Sequence, residues 1–147
     1  MSQNILAPID FSDVTDAVIA KAAQLAKAMD AKIWLIHAAV PEPDFVGYEV
    51  GPEYIRDSAA RHLREEHRTL GEYQEKLRAE GADVTAMLVP GEAVAKILQE
   101  ADRLKADWIV LGSHGHGALY NLLAGSVCQG VLRKTGCPVV IVPSRPD

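Results

Sequence analysis

The sequence predicts an α/β fold of three layers, a parallel sheet covered by helices on both faces, and three observations carry that expectation. Short apolar runs alternate along the chain with longer segments of helical periodicity. Two of the runs, "KIWLIHA" at 32–38 and "DWIVLG" at 107–112, keep their apolar residues in unbroken succession, as strands buried on both faces do. Five strands separated by four helical segments then favour parallel neighbours joined by right-handed crossovers.

The elements follow in order. "NILAPI" at 4–9 is the first strand, and in "DFSDVTDA" after it Ser12 or Asp13 can N-cap a helix running to about Met29. Val14, Val18, Leu25 and Met29, with alanines between them, form its buried face. The second strand, 32–38, leads into "VPEPDFVGYEVGP", Val40 to Pro52, whose three prolines and two glycines read as a loop and a candidate lid. From Glu53 to about Glu80, Ile55, Ala59, Leu63, Leu70, Tyr73 and Leu77 recur at helical spacing, and Gly81 ends the helix. "DVTAMLV" is the third strand and "EAVAKILQEADRLKA" the third helix. "DWIVLG" feeds a glycine-rich loop, a helix runs from about Ser126 to Lys134, and "CPVVIV" makes the fifth strand. Gly130 inside the last helix costs roughly 1 kcal/mol against alanine, and a close helix-to-sheet contact would explain it.

Composition narrows the function. The 147 residues, 48% of them hydrophobic, suit one soluble domain, with no internal repeat. A formal net charge of -5 offers no overall field attractive to nucleic acid or anionic lipid, so an anionic ligand must be held locally. The basic residues of "RDSAARHLREEHR" are interleaved with acids and read as a solvated helix face. "MSQN" lacks the basic flank and apolar run of a signal peptide, and no apolar stretch approaches the roughly 18 residues of a membrane span, so a cytoplasmic protein is expected. Cys128 and Cys137 read as reduced packing residues, having neither zinc spacing nor the numbers of a disulfide scaffold.

The stretch "GSHGHGALYNLLAGS", Gly112 to Ser126, holds four glycines and two histidines but no lysine or arginine. It is open to two readings. One is a glycine-rich turn with Ser126 as a simple N-cap. The other is a phosphate cradle, in which glycines let backbone N–H groups converge on an anion at the positive end of the next helix. Neither G-x-x-x-x-G-K-[ST] nor a G-x-G-x-x-G after the first strand occurs, which disfavours P-loop chemistry and a dinucleotide fold.

Gly112, Gly115, Gly125 and Ser126 fit G-x2-G-x9-G-[ST], and in this the chain resembles the ATP-binding branch of the universal stress protein family. "ILAPIDFS" is similar to that family's first strand and turn, and "GSVCQGVLRKTGCPVVIVP" to its last helix and dimer strand. The resemblance implies a five-stranded parallel sheet ordered 3-2-1-4-5, with the ligand where that order reverses. It implies ATP, or AMP or ADP, as ligand, with Mg2+ or Mn2+ on the phosphates. Asp10 would hydrogen-bond the adenine and ribose region, or act only as a turn residue, while Pro8 and Ile9 line the base. Gly112, Gly115, Gly125 and Ser126 would wrap ribose and phosphates, with Leu111, His114 and Val127 beside them. Two positions depart from the family: Ala38 stands where many relatives place valine against the base, and His116 where they often carry arginine or lysine. A homodimer through the fifth strand, Pro138 to Val142, is also implied, the alternative being an edge shielded by "PSRPD".

The remaining candidates for chemistry are weaker. His114 and His116 have no cysteine or carboxylate in their loop to complete a metal set. His62 and His67 lie about 140° apart around a helix. His37, ending an apolar strand, reads as a satisfied core histidine. No G-x-S-x-G occurs and no general base stands out, so no catalytic residue is assigned. The expected function is a nucleotide-responsive stress factor. The alternatives are a dimeric interaction protein of the same fold without nucleotide, and a slow ATP-hydrolysing enzyme.

Overall fold

The computed structural model describes residues 3–39, 53–113 and 126–143. In chain order it contains β1 (Gln3–Pro8), α1 (Thr15–Met29), β2 (Ala31–Ala39), α2 (Glu53–Ala79), β3 (Val84–Pro90), α3 (Ala93–Arg103), β4 (Trp108–Gly112), α4 (Ser126–Lys134) and β5 (Val139–Val142). The sheet order is β3-β2-β1-β4-β5, and every neighbouring pair is parallel. The chain therefore steps outward from β1 to β3, returns beside β1 as β4, and places its reversal between β1 and β4.

Side-chain alternation explains why the strand sequences are apolar throughout. Along β1, Ile5 and Ala7 enter the core beneath α1 and α2, with Val18, Ala22, Leu70 and Leu77. Leu6 faces the other way, into a second core with Ile97 of α3 and Val131 of α4. The run "IWLI" divides likewise, Ile33 and Leu35 to the first core and Ile36 to the second. Leu6, Leu35 and Ile36 are wholly buried, each stabilising the fold by roughly 1.5–3 kcal/mol relative to exposure. Cys128 lies in the second core, where burial pushes its thiol pKa up, as befits an unreactive packing residue.

Three local expectations need correction. Neither Ser12 nor Asp13 caps α1: the N-cap is Val14, without a side-chain cap. The cause is the Asp10 carboxylate, which accepts the Ser12 N–H at 3.0 Å and bends the chain so that one more turn precedes the helix. Leu63 of α2 is 44% exposed, not part of the apolar face. Twenty-seven residues make a helix about 40 Å long, whereas the nine residues of β2 span about 30 Å, so the early turns of α2 run past the sheet. Leu70 and Leu77, further along, are buried as expected. At its far end Gly81 takes φ 96°, a conformation that suits glycine, and closes the helix.

Gly130 is the third correction, because its close neighbour is a helix and not the sheet. A Cβ there would lie 2.7 Å from Val94 Cγ2 and 3.0 Å from Cγ1, so the missing side chain lets α4 approach α3. Val94 itself sits in the first turn of α3, where the Glu92 carboxylate accepts the Val94 and Ala95 N–H groups at 3.0 and 2.8 Å. Those two bonds hold the Glu92 carboxyl below its ordinary pKa. Gly130→Ala is expected to lower stability by about 1 kcal/mol, the clash outweighing the gain in helix propensity. In a Val94→Ala background the same change should become stabilising, which urea unfolding of the four proteins would show.

Among the described residues, no helix is long and apolar enough to cross a membrane. The segment Val40 to Pro52, read as a lid, lies outside the described residues.

Candidate functional site

The carboxyl ends of three adjacent strands, β2, β1 and β4, bring the expected site residues together. Pro8 closes β1 opposite Ile36, and Ile9 continues it by donating its N–H to the Ile36 carbonyl at 2.8 Å. Ile9 is buried and Asp10 exposed, so the chain turns from core to solvent within one residue. Phe11 next takes φ 61°, a left-handed conformation uncommon for an aromatic residue and a mark of a constrained turn. Ala38, half-buried, stands beside this turn near the end of β2, while Leu111 and Gly112 end β4.

Gly112 has a reason of its own to be glycine. A Cβ there would lie 2.4 Å from Val14 Cγ1 and 3.4 Å from Val18 Cγ2. The end of β4 thus touches the start of α1. Among the described residues, Ser12 Oγ in the turn after β1 and Thr15 Oγ1 at the start of α1 are buried with no hydrogen-bond partner. Such orphaned hydroxyls cost roughly 1–3 kcal/mol each and are uncommon outside functional or strained segments.

Ser126 is the first residue of α4. Because β4 and β5 are parallel, the helix joining them must run opposite to both, which puts its N-terminus at the carboxyl end of the sheet with Pro8, Asp10 and Gly112. The positive end of its dipole and its free N–H groups face that end. Val127, half-buried, follows on the same first turn. His114, Gly115, His116 and Gly125 lie outside the described residues, as does the Ser126 side chain.

The residue that reading the sequence undervalues is His37. Its Nδ1 donates to the Ile9 carbonyl at 2.8 Å, and its Nε2 lies 2.8 Å from Glu66 Oε2 of α2. The two side chains are 12% and 15% exposed. His62 Nε2 lies 3.6 Å from the same glutamate oxygen, and the Phe11 ring packs on the imidazole with centroids 4.6 Å apart. His37 is a satisfied polar residue, as expected, but what it satisfies is the turn of the candidate site.

The carboxyl end of the sheet thus carries the half-buried Pro8 and Ala38, the exposed Asp10 and the N-terminus of α4, while Ile9 is buried in the core with Val14 and Val18. No group of three or more metal-ligating side chains occurs among the described residues.

The sequence profile of the Universal stress protein family matches residues 1–143. The chain belongs to that family. Among its relatives is a universal stress protein of Thermus aquaticus, from the QAH/OAS sulfhydrylase 3' region, 34% identical over 148 residues, covering 97% of this chain and 99% of that one. The solved structure of the hypothetical protein MJ0577 of Methanocaldococcus jannaschii superposes with a TM-score of 0.84 over 100% of this chain and 99% of that one, at 24% identity, a likeness of fold. A universal stress protein solved in complex with cAMP superposes with a TM-score of 0.69 at 26% identity, covering 97% of each chain. The sheet order found here is the one that membership in the universal stress proteins implies.

Proposed function

We propose that this universal stress protein binds an adenine nucleotide, ATP or its shorter relatives AMP and ADP, where the sheet order reverses, and acts as a nucleotide-responsive stress factor in the cytoplasm. One observation carries the reading: the two ends of the G-x2-G-x9-G-S spacing fall on structural boundaries, Gly112 closing β4 and Ser126 opening α4. A connection of that composition, joined to a helix N-terminus at the same end of the sheet as Asp10, suits an anion cradle. The relative in complex with cAMP supports the ligand class.

In this reading Pro8, Ile9 and Ala38 line the base, and Asp10 accepts from the adenine and ribose region. Main-chain amides of the Gly112–Ser126 connection and the α4 terminus grip the phosphates, with Leu111, His114 and Val127 alongside. No lysine or arginine lies between 112 and 126, so Mg2+ or Mn2+ held by the phosphate oxygens offsets their charge. β5 is an edge strand with four consecutive β-branched residues, suited to pairing with its counterpart in a homodimer. Nucleotide occupancy would then act by shifting the population of a partner-binding state. The role is binding, and no residue is assigned to catalysis.

A second reading, a dimeric interaction protein without nucleotide, is favoured by the packing role of Gly112, which explains one motif glycine without a ligand. Two measurements decide between them. Denaturing the purified protein should release adenine nucleotide, and stripped protein titrated with Mg-ATP should show saturable binding. Asp10→Ala should weaken that binding by roughly 1–2 kcal/mol, the loss of one hydrogen bond. A clean supernatant and a flat titration would favour the interaction protein.

A further inference from the structure

We propose that Gln74 and Arg78 of α2 close the free edge of β3 in place of a further strand, excluding a second copy of this chain there and confining strand addition to β5. The inference goes beyond the nucleotide reading and needs no ligand.

The register of the sheet decides which backbone groups of β3 face outward. Ile33 donates its N–H to the Asp83 carbonyl, and Gly91 donates its own to the Ala39 carbonyl. Along a parallel pair the bonding residues alternate, so 83, 85, 87, 89 and 91 turn their groups to β2. Val84, Ala86, Leu88 and Pro90 turn theirs away, toward the place a further strand would take. β3 is the last strand on that side of the sheet. A row of outward groups is ordinarily a template for pairing with another chain.

Two of these groups are already taken. Gln74 Oε1 accepts the Ala86 N–H at 2.7 Å, and Arg78 Nε donates to the Val84 carbonyl at 3.0 Å. An added parallel strand would supply the same acceptor and donor from one residue opposite Thr85, and an antiparallel strand would need the same two groups. The spacing agrees as well, because four residues of helix rise about 6 Å and two residues of strand about 6.6 Å. Glu75 Oε2 accepts from Gln74 Nε2 at 3.1 Å and from Arg78 Nη1 at 3.5 Å, which ties the two side chains together. Pro90, the last residue of β3, has no N–H to offer.

The opposite edge differs. Pro138 and Val142 turn their carbonyls to β4, so Val139 and Ile141 face outward. Among the described residues no side chain is hydrogen-bonded to those outward groups. A sheet open at both edges can add copies head to tail without closing, whereas one open edge allows only a closed pair. The α2 clamp thus limits assembly.

Two measurements on the full chain test this. Amide exchange followed by NMR should find the wild-type Ala86 N–H protected like those of Thr85 and Met87, which face β2. Gln74→Ala should speed exchange at Ala86 about tenfold or more and leave those two neighbours unchanged. In size exclusion with light scattering the wild type should stop at one size, while Gln74→Ala/Arg78→Ala should grow into larger species as concentration rises. Gln74→Ala alone frees the Ala86 N–H and should grow in the same way, more weakly. Adding Ala86→Pro to the double variant should restore the wild-type size, because proline at an outward position blocks pairing without removing a bond to β2. A wild-type Ala86 N–H that exchanges as an open amide would overturn the clamp, whether or not any variant folds. Folded variants that stay at the wild-type size, or growth that survives Ala86→Pro, would overturn its role in assembly. Wild-type protein of one copy at every concentration would overturn pairing at β5, while growth of the double variant would still support closure of β3.

Discussion

Gly112→Val is expected to destabilise the protein by about 1–3 kcal/mol, whether or not nucleotide is present. The added Cβ would lie 2.4 Å from Val14 Cγ1 and 3.3 Å from Cγ2, with Val18 Cγ2 at 3.4 Å. Both valines are buried, at 7% and 1% exposure, and neither has a flexible end that can swing aside. Relief requires α1 to back away from β4, which opens the core between them. Val14→Ala removes the two methyl groups that the new atom would strike, so Gly112→Ala in that background should recover most of the stability lost by Gly112→Ala alone. Urea unfolding of the single and double variants reads this coupling directly. If Gly112→Val unfolds at the wild-type midpoint, the contact is not what demands glycine there. The expected outcome also bears on function, because lost nucleotide binding in a Gly112 variant would not by itself implicate the phosphates.

That double duty shows what the sequence makes legible and what it hides. Element type and order are readable because two-sided burial leaves unbroken apolar runs such as "IWLI", whose alternate residues enter the two cores. The 3-2-1-4-5 order came through family resemblance, since period and composition do not say which strands are neighbours. Where a side chain's role depends on the other element it meets, the reading stops. Gly130 was expected to face the sheet and faces Val94, because the rotation of α4 about its axis is set by packing with α3. The start of α1 moved because the Asp10 carboxylate took the Ser12 N–H, a local competition that Ser12 and Asp13, both good capping residues, conceal. Glu66 looked like one more charge on a solvated face. It is a partner of His37 only because α2, 29 residues further on, lies over β2 in one rotational phase. For the site, the family resemblance picked out Pro8, Ile9, Asp10, Ala38, Leu111 and Gly112, which fall on neighbouring strand ends, while nothing in it marked His37, whose ring meets the Ile9 carbonyl.

Gly115→Val and Gly125→Val should each reduce Mg-ATP affinity at least about a hundredfold, close to 2.8 kcal/mol, with the unfolding midpoint unchanged. The argument is electrostatic. A triphosphate carries several negative charges, the protein carries a net charge of -5, and no lysine or arginine lies between Gly112 and Ser126. In the proposed site the attraction comes from main-chain N–H groups, the α4 dipole and the cation proposed on the phosphates, and amides act only at contact distance. A valine Cβ and its two methyl groups in that path hold the phosphate off by more than an ångström, and no cationic side chain in the connection reaches out to compensate. Both positions lie between the end of β4 and the start of α4, and the unchanged midpoint separates a lost phosphate contact from a lost fold. Gly117, a glycine of the same stretch outside the spacing, supplies the control: Gly117→Val should bind nucleotide nearly as wild type does. Equal losses at 115, 117 and 125 would mean that the connection merely needs small residues, and unchanged affinity at 115 and 125 would remove the amide cradle from this protein.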